Sequence, residues 1–297
     1  MIDRLWLGAV QLGLPYGLSG RQPDAAETAR ILDAAWDAGL RRIDCARAYG
    51  AAETRVGDWL RARRRRPIIA TKIPSLAAVP DADAGAAFRD ALAQSQAALG
   101  VERLDYLLLH DAADLRRAPV RDALLAARER GLAAEIGLSC YAPDEALSGL
   151  DLCPEIRLVQ APGSLADRRV ASSGLPGRLA RAGGVLVLRS LFLQGALLAP
   201  DEALPAHLAP LAPLRAKLAA CAAETGIGAA RLALALGLAG APGAHAVLGV
   251  DSVDQAEALA DLAEAASPPA AWIAAFDALA AALPPGLVDP RTWPQAR

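Results

Sequence analysis

Four polar side chains of different types stand where short apolar runs end. Asp44 and Tyr49 lie in RRIDCARAYGAAE, the Asp just inside the break in the run and the Tyr just beyond it. Lys72 closes PIIATK and His110 closes LDYLLLH. A carboxylate, a phenol, an ammonium and an imidazole are groups that hold, balance or pass protons when brought together. Taken singly, each has a plain structural reading. A strand-end Asp caps the next turn, a lone Tyr packs, a Lys marks where solvent begins, and a terminal His is a satisfied buried group. Taken together, on three consecutive runs, they point to one shared site.

A shared site requires those runs to be neighbouring parallel strands. LWLGAVQ, RRIDCA, PIIATK, LDYLLLH, AAEIGLS, IRLVQAP, GVLVLRS and AHAVLGV are rich in aliphatic and β-branched residues. Segments of helical periodicity, such as DAAETARILDAAWDAGL and AGAAFRDALAQSQAALG, lie between them. Strands alternating with helices predict βαβ units and a parallel sheet. Near-continuous apolar strands predict a sheet covered on both faces. Eight strands in 297 residues predict an α/β fold, a (β/α)8 TIM barrel, as a single domain over residues 1–297. Function in that fold sits on the loops at the C-terminal ends of the strands. Gly39, Gly100 and Gly131 each follow a helical run, where a left-handed cap is wanted. Residues 267–297 read as a terminal helix, AAWIAAFDALAAAL, packed on the barrel, then a Pro-rich tail near its mouth.

Composition excludes several classes. Hydrophobic residues make up 54% of the chain and the net charge is −2, so no global field favours nucleic acid or an anionic membrane. Cys45, Cys140, Cys153 and Cys221 form no C-x-x-C, and no His stands at a metal-ligand spacing from them. They read as reduced thiols of a cytoplasmic protein, with no metal site. The opening MIDRLWLGAVQLG lacks the basic and apolar regions of a signal peptide. LALALGLAGAPGA is too short for a membrane span and reads as a buried helix. RARRRRP, from Arg61 to Pro67, reads as the solvated end of a helix, where cations favour the dipole, rather than as a nucleic-acid patch. His207 and His245 sit in no motif.

The stretches IDCARAYGAAETRVG, IIATK, DYLLLH, IGLSCY and LVQAP, in this order and at these separations, make the chain resemble the aldo-keto reductases over nearly its whole length. The resemblance implies that Asp44, Tyr49, Lys72 and His110 are the catalytic tetrad of a reductase that acts on small-molecule carbonyls. Reduction builds negative charge on the carbonyl oxygen, so a proton donor must lie within hydrogen-bond reach. On this reading Tyr49 is that donor, made more acidic by the Lys72 ammonium. Asp44 balances Lys72, and His110 orients the carbonyl. WLGAVQLGLPYG and LRSLFLQGALL resemble a bacterial branch associated with sugar or polysaccharide metabolism.

The resemblance also implies NADP(H) or NAD(H) as cofactor, with contacts from Ser139, Cys140, Gln160, Arg189, Ser190, Leu191, Gly249, Asp251, Ser252 and Gln255. Ser139 and Gln160 match residues that hold the carboxamide. Cys140 and Ser164 stand where relatives carry Asn. Arg189 stands where many members stack an aromatic on the nicotinamide; it reads either as a stacking guanidinium or as a salt bridge at the barrel mouth. The helix start after AVLGV should bind the adenosine phosphate, with Ser252 as donor. NADP-specific members place Lys or Arg where this chain has Asp251. A carboxylate repels a 2′-phosphate and accepts from a 2′-hydroxyl, so Asp251 weakens the NADPH preference. Glu53 shapes the Tyr49 loop or touches cofactor, and Trp6, Tyr16, Tyr141 and Trp293 are pocket walls by position. Two rival readings remain: a Schiff-base lyase with Lys72 as nucleophile, and a nicotinamide-binding redox sensor without turnover.

Overall fold

The computed structural model describes residues 1–264 and 267–294. Its centre is a closed barrel of eight parallel strands, each hydrogen-bonded to the next in sequence and the last to the first. The strands are β1 (Leu5–Gly8), β2 (Arg42–Asp44), β3 (Ile68–Ile73), β4 (Leu104–Leu109), β5 (Ala133–Ser139), β6 (Leu158–Pro162), β7 (Val185–Arg189) and β8 (His245–Gly249). The closing seam sets Leu5 against Ala246 and Gly8 against Gly249. Helices cover the outside, so the strands are buried on both faces and carry the continuous apolar runs expected of a parallel sheet.

Local chemistry sets the helix ends. Asp24 caps Ala25–Asp37 by accepting from the Glu27 N–H at 2.8 Å. Gly39, Gly100 and Gly131 adopt φ of 97°, 71° and 73°, the left-handed region an L-residue with a Cβ avoids. The helix Ala52–Arg63 ends in the arginine run; Arg61 pairs with Asp58, Arg63 pairs with Asp33, and Arg65 lies over the Trp36 ring. The run is the end of that helix, and Arg61, Arg63 and Arg65 are held by surface partners.

One predicted strand is shorter than its apolar run. β1 stops at Gly8, and Val10–Gly13 forms a helical turn instead. The seam is tight there: a Cβ on Gly8 would stand 2.9 Å from the Val247 side chain, and one on Gly249 would meet the Gln11 amide at 2.5 Å. The chain must turn away from the sheet, and that turn carries Gln11 inward.

The core has three parts. Strand and helix side chains form the main layer. A smaller cluster of Trp6, Ala70, Leu108, Leu158 and Val187 fills the barrel itself. A third cluster joins the helices Ala212–Thr225 and Ala229–Leu238 to the terminal helix Ala270–Ala281, which buries Phe276 there. Among the described residues no single helix is long and apolar enough to cross a membrane. After the terminal helix the chain runs back to the barrel mouth, where the Arg291 guanidinium lies 3.4 Å from the centre of the Tyr141 ring. Residues 295–297 of the predicted tail lie outside the described residues.

Candidate active site

The C-terminal ends of β2, β3 and β4 bring the four chemistry-bearing side chains together. Lys72 is fully buried and donates from Nζ to Asp44 Oδ1 at 2.7 Å, to the Cys45 carbonyl at 2.8 Å and to Tyr49 Oη at 3.4 Å. Gln160, across the barrel on β6, donates to the same Asp44 oxygen at 2.8 Å. His110 sets its ring edge-on to Tyr49, with ring centres 5.7 Å apart at 82°. The Tyr49 loop is pinned from behind. Ala51 N–H donates to the Gly13 carbonyl at 3.3 Å, and a Cβ on Gly13 would overlap the Tyr49 carbonyl oxygen. Glu53 is buried beneath this loop, accepting from Thr71 at 2.6 Å and from Arg47 at 3.1 Å. It shapes the loop and does not line the cavity.

The electrostatics depart from the simplest expectation. Burial raises the Tyr49 phenol above its ordinary value near 10; Lys72 pulls the other way and is outweighed. The expected acidification by Lys72 is present only as the smaller of two opposed effects. Burial also works against the Lys72 ammonium, yet the Asp44 carboxylate, with Tyr49, more than offsets it and lifts the pKa. A permanently charged amine is a poor nucleophile, which disfavours the Schiff-base reading. Burial, with the charges of Lys72 and Arg189, drives His110 down to about 3, so its imidazole is neutral at physiological pH.

Tyr49, Asp44 and Gln160 open onto a cavity of about 620 Å³ that runs on to Asp251 and Gln255. Ser190, Leu191, Arg189, Gly249 and Tyr16 line it as well. Several other expected residues do not. Ser139 is buried in the β5–β6 ladder opposite Gln160, and the Cys140 carbonyl is taken by Arg189 Nη2 at 3.0 Å. The Ser164 hydroxyl accepts from the Ala166 and Asp167 N–H groups, a turn of its own. The Ser252 side chain caps its helix at Gln255 N, at 3.3 Å. Trp6 is core, donating at 2.9 Å to His245 Nδ1 inside the barrel. Trp293 donates to the Leu287 carbonyl at 3.0 Å and packs near His207 in the third cluster. Tyr141 supports Arg189, whose guanidinium lies 4.3 Å from its ring centre, and does not line the cavity. Among the described residues Arg189 forms no salt bridge; its guanidinium packs on the protein's own Tyr141 ring, an arrangement that neither expectation named.

Three polar cavity residues, Gln11, Ser19 and Gln194, escaped sequence reasoning. Gln11 came from a segment read as strand. Ser19 donates to Asp251 Oδ2 at 2.8 Å, and the Gln194 carbonyl accepts from Leu18 N–H at 3.1 Å, so two separate loops meet across the opening. The G that ends β1 and the positive-φ glycines Gly17 and Gly20 were the available signals.

A dinucleotide fits these residues. The size falls in the usual range for ligand sites, about 300–1,000 Å³. The buried Gln11 Oε1 on its wall has no partner among the described residues. The Gln160 amide beside Asp44 and the Gln11 amide beside Gly249 suit a carboxamide, and Ser19 with Asp251 suits sugar hydroxyls.

The family model for the aldo/keto reductase family matches residues 4–281. The chain belongs to the aldo-keto reductase family. It is a nicotinamide-dependent oxidoreductase that interconverts carbonyls and alcohols. A D-threo-aldose 1-dehydrogenase from a Pseudomonas species is 31% identical over 235 residues, 68% of this aldo-keto reductase and 69% of that protein. Among solved structures, the holo form of an aldo-keto reductase from Bacillus halodurans superposes with a TM-score of 0.77 at 24% identity, covering 96% of this chain and 95% of that one. A glycerol dehydrogenase from Gluconobacter oxydans gives 0.76 at 19% identity, covering 94% and 92%. These structures are similar in fold.

Proposed function

We propose that this aldo-keto reductase reduces sugar-derived aldehydes, with Tyr49 as proton donor and NADH as the preferred cofactor. The observation that carries the reading is the Asp44–Lys72–Tyr49 chain, opening on the cavity with a neutral His110 beside it. Lys72 donates to Tyr49 Oη, so the phenol keeps its own hydrogen for a carbonyl oxygen. His110 directs the same oxygen with a neutral N–H. As charge builds on that oxygen, the proton moves from Tyr49 Oη to it, and Lys72 steadies the phenolate left behind. Asp44, held by Gln160, keeps the Lys72 ammonium in place. The bound nicotinamide supplies the hydride.

The sugar-type substrate rests on the aldose dehydrogenase relative. The cofactor preference rests on Asp251, which is buried, lines the cavity and carries a Ser19 hydroxyl on one oxygen. A 2′-phosphate brought there would face a carboxylate, whereas a 2′-hydroxyl would find an acceptor. Arg21, the nearby cation, is already bonded to Glu27.

The test joins a titration with a variant. Intrinsic Trp fluorescence should be quenched by NADH at lower concentration than by NADPH. Tyr49→Phe should keep the parent's NADH affinity while losing about 100-fold or more of kcat on an aldose panel, the scale of general acid catalysis. Equal rates for Tyr49→Phe and parent would remove Tyr49 from the role, and tighter NADPH binding would remove Asp251 from its own.

A further inference from the structure

Three guanidinium groups surround the turn from Cys140 to Tyr141 at the barrel mouth, and two of them carry their own counter-ion. Arg169 is bound to Asp167 at 2.6 Å and Arg291 to Asp289 at 2.6 Å. Arg189 is different. Among the described residues no carboxylate lies within 4.0 Å of it, and its N–H groups reach only the Cys140 carbonyl at 3.0 Å and, at 3.5 Å, the Ser190 hydroxyl. It is half-buried, lines the same cavity as Tyr49, and its charge is felt at Tyr49, His110 and Tyr16 alike. A cation partly withdrawn from water without an opposite charge is costly, and an anion arriving with a ligand relieves that cost. The Tyr141 ring packs against the guanidinium, 4.3 Å from its centre, and a planar fork takes a carboxylate or phosphate through paired N–H bonds. His110, neutral beside it, offers no competing positive charge.

We infer that Arg189 receives an anionic group of the substrate, a carboxylate or a phosphate ester carried near the reacting carbonyl, so that the enzyme selects acidic sugar-derived aldehydes over neutral ones. The inference rests on the reading of Tyr49 as proton donor at this cavity. It assigns Arg189 to substrate choice, whereas its place in the family pattern would assign it to the cofactor ring.

The experiment pairs each anionic aldehyde with a neutral counterpart: glyceraldehyde 3-phosphate with glyceraldehyde, and 4-oxobutanoate with butanal. The parent should show higher kcat/KM for the anionic member of at least one pair, and the pair that responds tells phosphate from carboxylate. Arg189→Met should cut that preference by about 10- to 100-fold, the worth of one charge-assisted contact, chiefly through KM. Arg189→Lys should restore part of it, and added salt should erode the parent's preference. A parent with no preference for either anion overturns the inference without any variant. So does an Arg189→Met enzyme that loses both members of a pair equally together with NADH affinity, the pattern of a cofactor contact. Equal turnover by Tyr49→Phe and parent, by contrast, would indict the site reading itself.

Discussion

At the scale of single residues, the protonation states of Tyr49 and Lys72 decide what the site can do. The phenol is held protonated because burial outweighs the pull of Lys72, and the ammonium is held charged because Asp44 outweighs burial. His110, lowered to about 3, stays neutral. A donor that is protonated throughout gives a reduction rate with no pH limb. A base that must first lose a proton gives an oxidation rate that climbs. Single-turnover reduction should therefore be flat from about pH 5 to 9, while single-turnover alcohol oxidation should rise about tenfold per pH unit across the upper part of that range. Oxidation that levels off near pH 7 would mean that the Lys72 field prevails over burial after all.

At the scale of elements, the loop after β2 is placed by the turn after β1. The Arg55 guanidinium, on the helix that follows Tyr49, bonds the Leu12 and Pro23 carbonyls at 2.5 and 2.6 Å. Gly50, at φ 57°, has no room for a Cβ against the Gly13 carbonyl oxygen, which would lie 2.5 Å away. Gly13→Ala should push the Tyr49 loop outward. Overpacking of this kind costs about 1–3 kcal/mol. The loss in kcat/KM should exceed what stability explains, because a shift of about 1 Å at a proton donor costs about 100-fold. Gly183→Ala is the control: its φ of 68° is strained for alanine, but its Cβ would meet open space, so it should lower Tm and leave kcat/KM. Parent-like kcat/KM in folded Gly13→Ala would separate the Tyr49 position from this contact. The loop after β7 shows the same logic. Ser190, Leu193 and Gln194 all hold positive φ, a conformation that costs each of them about 1 kcal/mol or more, and burial of Leu193 with the Leu18–Gln194 bond keeps them there.

At the scale of the whole molecule, the barrel interior couples stability to pH. His245 accepts the Trp6 indole N–H, and burial, with Arg42 and Arg4 nearby, lowers it to about 4. The unfolded chain leaves this imidazole near its ordinary 6.5, so between about pH 4 and 6.5 the unfolded state binds the extra proton. Stability should be full above pH 6.5 and fall as pH drops toward 4. His110 acts in the same direction. His245→Gln, whose amide oxygen can accept from Trp6, should show a shallower fall of the urea midpoint over that window. Identical slopes for variant and parent would show that His245 is not titrating there.

The sequence by itself determined the eight-strand barrel and the four residues at its mouth. Strand runs, helical period and left-handed glycines are local properties, and RRIDCARAYG, PIIATK and LDYLLLH carry their polar residues at the points where those runs end. The sense of the Tyr49 shift was beyond its reach, because burial and the Lys72 charge act in opposite directions and only packing sets which is larger. Only the tertiary structure decided that Gln11, Ser19 and Gln194 join the cavity, that Ser139, Cys140 and Ser252 turn away from it, and that Trp6 is core. Those outcomes depend on hydrogen bonds between loops more than 170 residues apart, such as Ser19 with Asp251 and Gln194 with Tyr16. They depend as well on closure of β8 against β1, which pairs strands from opposite ends of the chain.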